Sequence, residues 1–275
     1  MNLNDLQNIS DGFKSTQRMP VLFLGHGSPM NAIEENEFVL GFKKIAQTLP
    51  QPQAILCVSA HWFTKGTKVT AMEMPKTIHD FGGFPKALFD VQYPAKGSPE
   101  LAKLTQQILH PTSVNLDNNW GLDHGAWSVI KHLYPEANIP VIQLSIDYTQ
   151  PAHYHFDLAK QLQSLRYKGV LIIGSGNIVH NLRLVDFANF HKDNYGFDWA
   201  IEAREFVNKK LIDGDYASLI NYTNQSKALQ LAIPSPDHYL PLIYTLALQD
   251  KSDNLSLFND KLLAGSLSMT SVKLG

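Results

Sequence analysis

Three short apolar runs, each closing on small residues and a histidine, constrain this chain more than any other feature. Val21-Leu22-Phe23-Leu24 leads into Gly25-His26-Gly27-Ser28-Pro29, and Ala54-Ile55-Leu56-Cys57-Val58 into Ser59-Ala60-His61-Trp62. Val170-Leu171-Ile172-Ile173 leads into Gly174-Ser175-Gly176-Asn177, with His180 three residues on. Val/Ile/Leu-rich runs without polar alternation predict strands covered on both faces, as in a parallel sheet. Such sheets collect ligands at the carboxyl ends of their strands. Histidines from three distant stretches would then face one crevice, and that points to a metal.

The length of 275 residues suits one α/β domain around a single large core, for which 44% hydrophobic residues provide ample material. The formal net charge is −2 and there is no Lys/Arg-rich run, which argues against nucleic acid or an anionic membrane and leaves a small molecule as the partner. Cys57 stands alone in an apolar run, so it reads as a small buried hydrophobe in a reducing compartment. Residues 1–18 form a polar arm without the basic start and apolar stretch of a leader, and no run reaches membrane-spanning length. A soluble cytoplasmic protein is expected, with residues 19–275 as one catalytic domain. The sequence carries no signal for oligomeric state.

Along the chain, strands are expected at 21–24, 54–59, 140–146 and 169–175, with a further one at Thr67–Met72 and a terminal one at Ser268–Leu274. Helices are expected at about 35–48, 98–109, 125–133, 151–165, 197–211 and 238–248, with a short piece near 215–221. Ser98, Pro99 and Glu100 supply an N-cap, a first-turn proline and a first-turn acid for one of these. The alternation predicts an α/β fold with a central, largely parallel sheet flanked by helices.

Most of the eleven histidines have ordinary structural readings. His110 precedes a proline, His191 lies in a polar loop, and His132 falls late in a helix, where a cation is favoured. His153 and His155, two apart in a helix, do not share a face. His26 and His61 are different, because they occupy corresponding places after two buried strands, and ligation is the better reading for the pair. Imidazole suits iron, zinc and copper alike, so they do not choose the metal. His180 lies deeper into its turn. His238, in Pro234-Ser235-Pro236-Asp237-His238-Tyr239, reads equally as a ligand or as a residue of a helix start. His124 opens a helix, a position that disfavours the imidazolium and suits a proton donor or acceptor. His79 reads equally as a substrate-loop residue or a backbone-bonded one.

Other chemistries lack their residues. Ser175 has no Gly-x-Ser-x-Gly elbow around it, and Gly25-His26-Gly27 fits neither a phosphate-binding loop nor a dinucleotide fingerprint. His-Glu-x-x-His and cysteine clusters are absent.

Taken in order, the turns are specific. Gly25-His26-Gly27-Ser28-Pro29-Met30, Ser59-Ala60-His61-Trp62, Ile78-His79-Asp80-Phe81-Gly82-Gly83-Phe84-Pro85 and Trp120-Gly121-Leu122-Asp123-His124-Gly125 are followed by Gly176-Asn177-Ile178-Val179-His180-Asn181-Leu182, Pro236-Asp237-His238-Tyr239-Leu240-Pro241 and Gly265-Ser266-Leu267-Ser268-Met269. From Met19 to the C-terminus the chain resembles the 4,5-DOPA extradiol dioxygenase family, within the LigB-like class III extradiol ring-cleaving dioxygenases.

The resemblance implies an oxidoreductase that places both atoms of O2 in a catechol, with L-DOPA cleavage to 4,5-seco-DOPA as the reference reaction. It implies one non-haem metal ion, Fe(II) for activity with Zn(II) able to take its place. By resemblance His26, His61 and His238 are ligands, and His180 is a base that can also contact the metal. His124 is the second acid/base group, beside the oxygen site. Other family branches use two histidines and a glutamate; His238 in the third place leaves the full charge on the metal, which favours a doubly negative catecholate. A zinc-dependent hydrolase on the same histidines, or a non-enzymatic metal-binding protein on this fold, remains the alternative.

Overall fold

The computed structural model describes residues 12–275, so most of the polar arm read at 1–18 lies outside the described residues. The arm's end is tied down: Phe13 packs against the core, and the Thr16 N–H donates to the Tyr167 carbonyl at 2.8 Å.

The frame is an eight-stranded sheet built from β1 (Val21–Gly25), β2 (Ala54–Thr64), β3 (Thr67–Thr70), β4 (Val114–Asp117), β5 (Val141–Asp147), β6 (Val170–Gly176), β7 (Leu255–Phe258) and β10 (Ser271–Leu274). A two-residue pair, β8 (Leu262–Leu263) and β9 (Leu267–Ser268), stands apart. The spatial order is β4-β3-β5-β2-β6-β1-β10-β7. The central four strands run parallel, β3 joins β5 antiparallel at one flank, and β10 joins β1 antiparallel at the other.

Strict alternation of side chains explains why the central runs are apolar throughout. Val21, Phe23, Leu56, Val58, Val170 and Ile172 enter one core, while Leu22, Leu24, Ile55, Cys57, Leu171 and Ile173 enter another on the opposite face. The first face is covered by helices α3 (Pro99–Ile108), α5 (Ala152–Lys160), α6 (Asp198–Asp213) and α9 (Leu240–Leu246). On the second face, α1 (Glu37–Ala46) and α4 (His124–Leu133) contribute Phe38, Phe42, Ala126, Trp127, Val129 and Ile130. Short helices α2 (Lys86–Phe89), α7 (Tyr216–Ile220) and α8 (Lys227–Ala232) complete the chain.

Departures from the sequence expectations have local causes. The helix expected over 151–165 is α-helical only to Lys160; a 3-10 stretch, Gln161–Lys168, follows and stops at Gly169, whose φ is +67°. Strands β4 and β7 were not anticipated. They occupy the two edges, and four residues with mixed burial leave too little pattern to read. Most important for the site, β2 does not end at residue 59. Between the Val58–Leu144 and Phe63–Ile146 pairs, four residues of β2 face one of β5; Ser59 still pairs with Ser175 of β6, whereas Ala60–Trp62 remain extended but leave the ladder. Bulges of this kind re-aim side chains beside active sites. Among the described residues, no helix is long and apolar enough to cross a membrane.

Candidate metal centre

Backbone geometry brings five histidines to the carboxyl ends of the central strands. Gly25 and Gly176 pair at the ends of β1 and β6, and the His26 N–H donates to the Gly176 carbonyl at 3.1 Å. His61 sits in the bulged end of β2 rather than in a turn after it. His238 lies in the turn before α9, which begins at Leu240 and not at residue 238. That turn reaches the sheet because residue 176 is glycine: a Cβ there would lie 2.1 Å from the His238 carbonyl oxygen. The Asn177 N–H then donates to this carbonyl at 2.9 Å. His180 is held by its N–H on the Ala232 carbonyl at 2.8 Å and by a bridge to Leu267.

His124 is the first residue of α4, and buried Asp123 caps that helix by accepting the Ala126 N–H. The same carboxylate accepts Ser59 Oγ–H of β2 at 2.6 Å and Gln143 Nε2–H of β5 at 2.7 Å. Burial, with the nearby charge of Asp80, pushes the Asp123 carboxyl above its ordinary value. Gly125 lets the helix start close on β2, since a Cβ there would sit 2.5 Å from Ser59 Oγ and 2.7 Å from His61 Cδ2.

The hydrogen bonds fix which nitrogens are bare. Ser175 Oγ donates its only proton to the Gly125 carbonyl at 2.5 Å, so its contact with His26 Nδ1 at 3.0 Å is accepted from an Nδ1–H. A neutral His26 therefore has its lone pair on Nε2. His61 Nδ1 has no hydrogen bond among the described residues but faces the Asp80 carboxylate at 3.4 Å; a carboxylate can only accept, which favours Nδ1–H and a bare Nε2. The two Nε2 atoms face each other at 3.2 Å. His238 Nδ1–H donates to Asp237, freeing its Nε2 as well.

Protonation does not relieve the facing lone pairs. Burial, and next the charge of a neighbouring histidine (His61 for His26, His124 for His61), hold His26 and His61 well below the ordinary imidazole pKa. Neutral imidazoles with converging lone pairs are a donor set for a cation. His26, His61 and His124 present ligand atoms that all lie within 4.8 Å of one another, so this cluster could hold a metal ion. The rings of His26, His61 and His238 form a nearly equilateral triangle, with centroids 5.0, 5.2 and 5.0 Å apart. His124 flanks it on the His61 side at 3.9 Å, and His180 on the His238 side at 3.6 Å.

All five histidines singled out in the sequence thus meet in one place. His79 stays in the loop, its Nε2–H donating to the Val91 carbonyl at 2.9 Å beside the rings of Phe81 and Trp127. His132 differs from its reading as a helix-end cation. Its Nε2–H donates to the Asn31 carbonyl at 2.7 Å, and burial lowers its pKa. Sequence reasoning missed the supporting groups Asp80, Asp123 and Ser175. Asp123 was legible as the cap immediately before His124, whereas Ser175 and Asp80 act across the fold.

Comparison with known proteins identifies the family. The family described as the catalytic LigB subunit of aromatic ring-opening dioxygenase matches residues 20–264. The chain is 47% identical over 271 residues to 4,5-DOPA dioxygenase extradiol of Escherichia coli K12, covering 97% of this chain and 98% of the relative. It is 35% identical over 260 residues to the Beta vulgaris protein of the same name, covering 91% and 94%. A crystal structure of an uncharacterized E. coli K12 protein superposes with a TM-score of 0.81 at 44% identity, over 94% of this chain and 100% of that one.

Proposed function

Because the chain belongs to the LigB family of aromatic ring-opening dioxygenases, we propose that it cleaves a catechol beside its hydroxyls, with L-DOPA cleavage to 4,5-seco-DOPA as the reference reaction. His26, His61 and His238 would hold the metal, and His124 and His180 would move protons. One observation carries this reading: the rings of His26, His61 and His238 converge, and His124 and His180 flank them on different sides. A site that only stored a metal would need neither flanking ring.

A divalent non-haem ion held here, Fe(II) for activity with Zn(II) able to take its place, would supply Lewis acidity toward catechol hydroxyls and redox chemistry toward dioxygen. Burial, and secondly the neighbouring His238, push His180 down to about 3, so its imidazole is neutral at physiological pH and can accept a substrate hydroxyl proton. His124 stands across the triangle with its ring nearly perpendicular to that of Phe81 at 5.5 Å, and Phe81 meets Phe84 and Phe89 at 5.5 and 5.1 Å. These rings form an apolar wall on which an aromatic substrate can pack while its hydroxyls face the imidazoles. His124 is then placed to hold and return a proton on the side away from His180.

The test is oxygen uptake by anaerobically Fe(II)-loaded protein. One O2 should disappear per catechol, with a yellow ring-opened product, and the panel should include L-DOPA. A zinc hydrolase would turn over without oxygen, and a panel of catechols that consumes none would sink the dioxygenase reading.

A further inference from the structure

Among the described residues, Asp80 is the one carboxylate in ion-pair contact with two of these histidines. Its backbone lies on an exposed loop, yet its side chain is only 18% exposed and turns inward. Oδ1 accepts the backbone N–H of His124 at 2.8 Å. Oδ2 lies 3.0 Å from His124 Nδ1 and 3.4 Å from His61 Nδ1, both as ion-pair contacts that are not aligned as hydrogen bonds, and His124 Nδ1 is buried with no other partner among the described residues. The loop is braced on the same helix by Trp127 Nε1–H, which donates to the Ile78 carbonyl at 2.8 Å.

We propose that Asp80 is a positioning residue that sets the ring tautomers of His61 and His124 as a pair. A carboxylate has no proton to give, so an imidazole nitrogen facing it is stable only as N–H. Sharing one oxygen therefore keeps both protons on Nδ1 and both lone pairs on Nε2. For His61 that is the form that can ligate a metal; for His124 it is a form that accepts a proton at Nε2. The inference rests on the proposed roles of these two histidines.

Asp80→Asn separates this from simple packing, because the side chain keeps its shape but gains a donor. If its carbonyl oxygen stays on the His124 N–H, its NH2 faces both Nδ1 atoms. Each ring must then present a lone pair there and carry its proton on Nε2, away from metal binding. The alternative amide orientation sets NH2 against the His124 N–H, donor against donor. Outer partners of metal-bound histidines typically contribute about 10–100-fold to metal affinity or activity.

The primary measurement is ¹⁵N NMR of histidine side chains in the metal-free protein, with His61 and His124 assigned by the loss of their signals in His61→Gln and His124→Gln. Wild type should carry Nδ1–H on both rings, and Asp80→Asn should shift both toward Nε2–H. In competition with a chelator, Asp80→Asn should bind Zn(II) about 10–100-fold more weakly, with Asp80→Glu recovering part of the loss. With Fe(II) and catechol, kcat should fall while KM changes little.

Wild-type rings protonated on Nε2 would overturn the proposal, and that result needs no variant to fold. So would Zn(II) affinity and tautomers unchanged in Asp80→Asn. If tautomers and affinity behave as stated but no catechol is consumed, Asp80 keeps its role and the dioxygenase reading alone fails.

Discussion

His180 and His238 lie ring on ring, with centroids 3.6 Å apart and planes only 8° from parallel. A ring nitrogen binds a metal in the plane of its ring, and two nearly parallel planes meet far from either ring. As they stand, both rings cannot ligate one ion; zinc binding by His26, His61, His180 and His238 together needs one of the two to leave the stack. The ring centroid of His238 lies 5.2 and 5.0 Å from those of His26 and His61, which favours it as the proposed ligand of the pair. His238→Ala should lose bound metal on dialysis, by elemental analysis. His180→Ala should keep the metal and lose about 10²-fold or more in kcat, the usual worth of a general base. Metal loss in His180→Ala would reverse the assignment.

Ser175 links His26 to the Gly125 carbonyl, so Ser175→Ala leaves a buried N–H and a buried carbonyl without their shared partner. Stability should fall by about 1–3 kcal/mol in urea unfolding. Metal affinity should fall as well, about 10–100-fold, as His26 loses its preferred tautomer. Unchanged affinity would show that the hydroxyl only fills space.

Gly176→Ala places a methyl 2.1 Å from the His238 carbonyl oxygen, a clash that no rotamer relieves. The turn before α9 should retreat, at about 1–3 kcal/mol in stability. Metal titration of the folded variant should reveal a weakened site. Wild-type affinity would mean that His238 has slack to follow.

His155 is fully buried beside Tyr244, whose hydroxyl is 2.9 Å from its Nδ1, and burial pushes its pKa down to about 4. The unfolded chain therefore takes up this proton first, near the ordinary value of 6.5. Stability from this group is intact above about pH 6.5 and declines as pH falls toward 4, by up to about 3 kcal/mol. Urea unfolding of wild type and His155→Gln between pH 7 and 4 checks this. The variant should show the shallower slope, and equal slopes would exonerate His155.

The sheet was legible where residues are buried on both faces, because β1, β2 and β6 write their surroundings into unbroken apolar runs. His26 and His61 were legible for the same reason, since each follows such a run. The bulge that turns Ala60–Trp62 out of the ladder leaves no mark on composition, so His61 read as a turn residue. Edge strands β4 and β7 were invisible, being short and half exposed. Asp80 and Ser175 could not be paired with their histidines from spacing, because Asp80 reaches His124 from 44 positions away and Ser175 reaches His26 from 149. Such partners are set by strand order.

The three proposed ligands come from the first strand, the second strand and the last turn before α9, while the C-terminal strand β10 must seat against β1 to finish the sheet. The shortest stretch that contains this donor set runs from residue 26 to residue 238 of the 275. Metal uptake therefore reports that the ends of β1 and β2 and the turn before α9 have come together. A chain cut before His238 lacks the third proposed ligand.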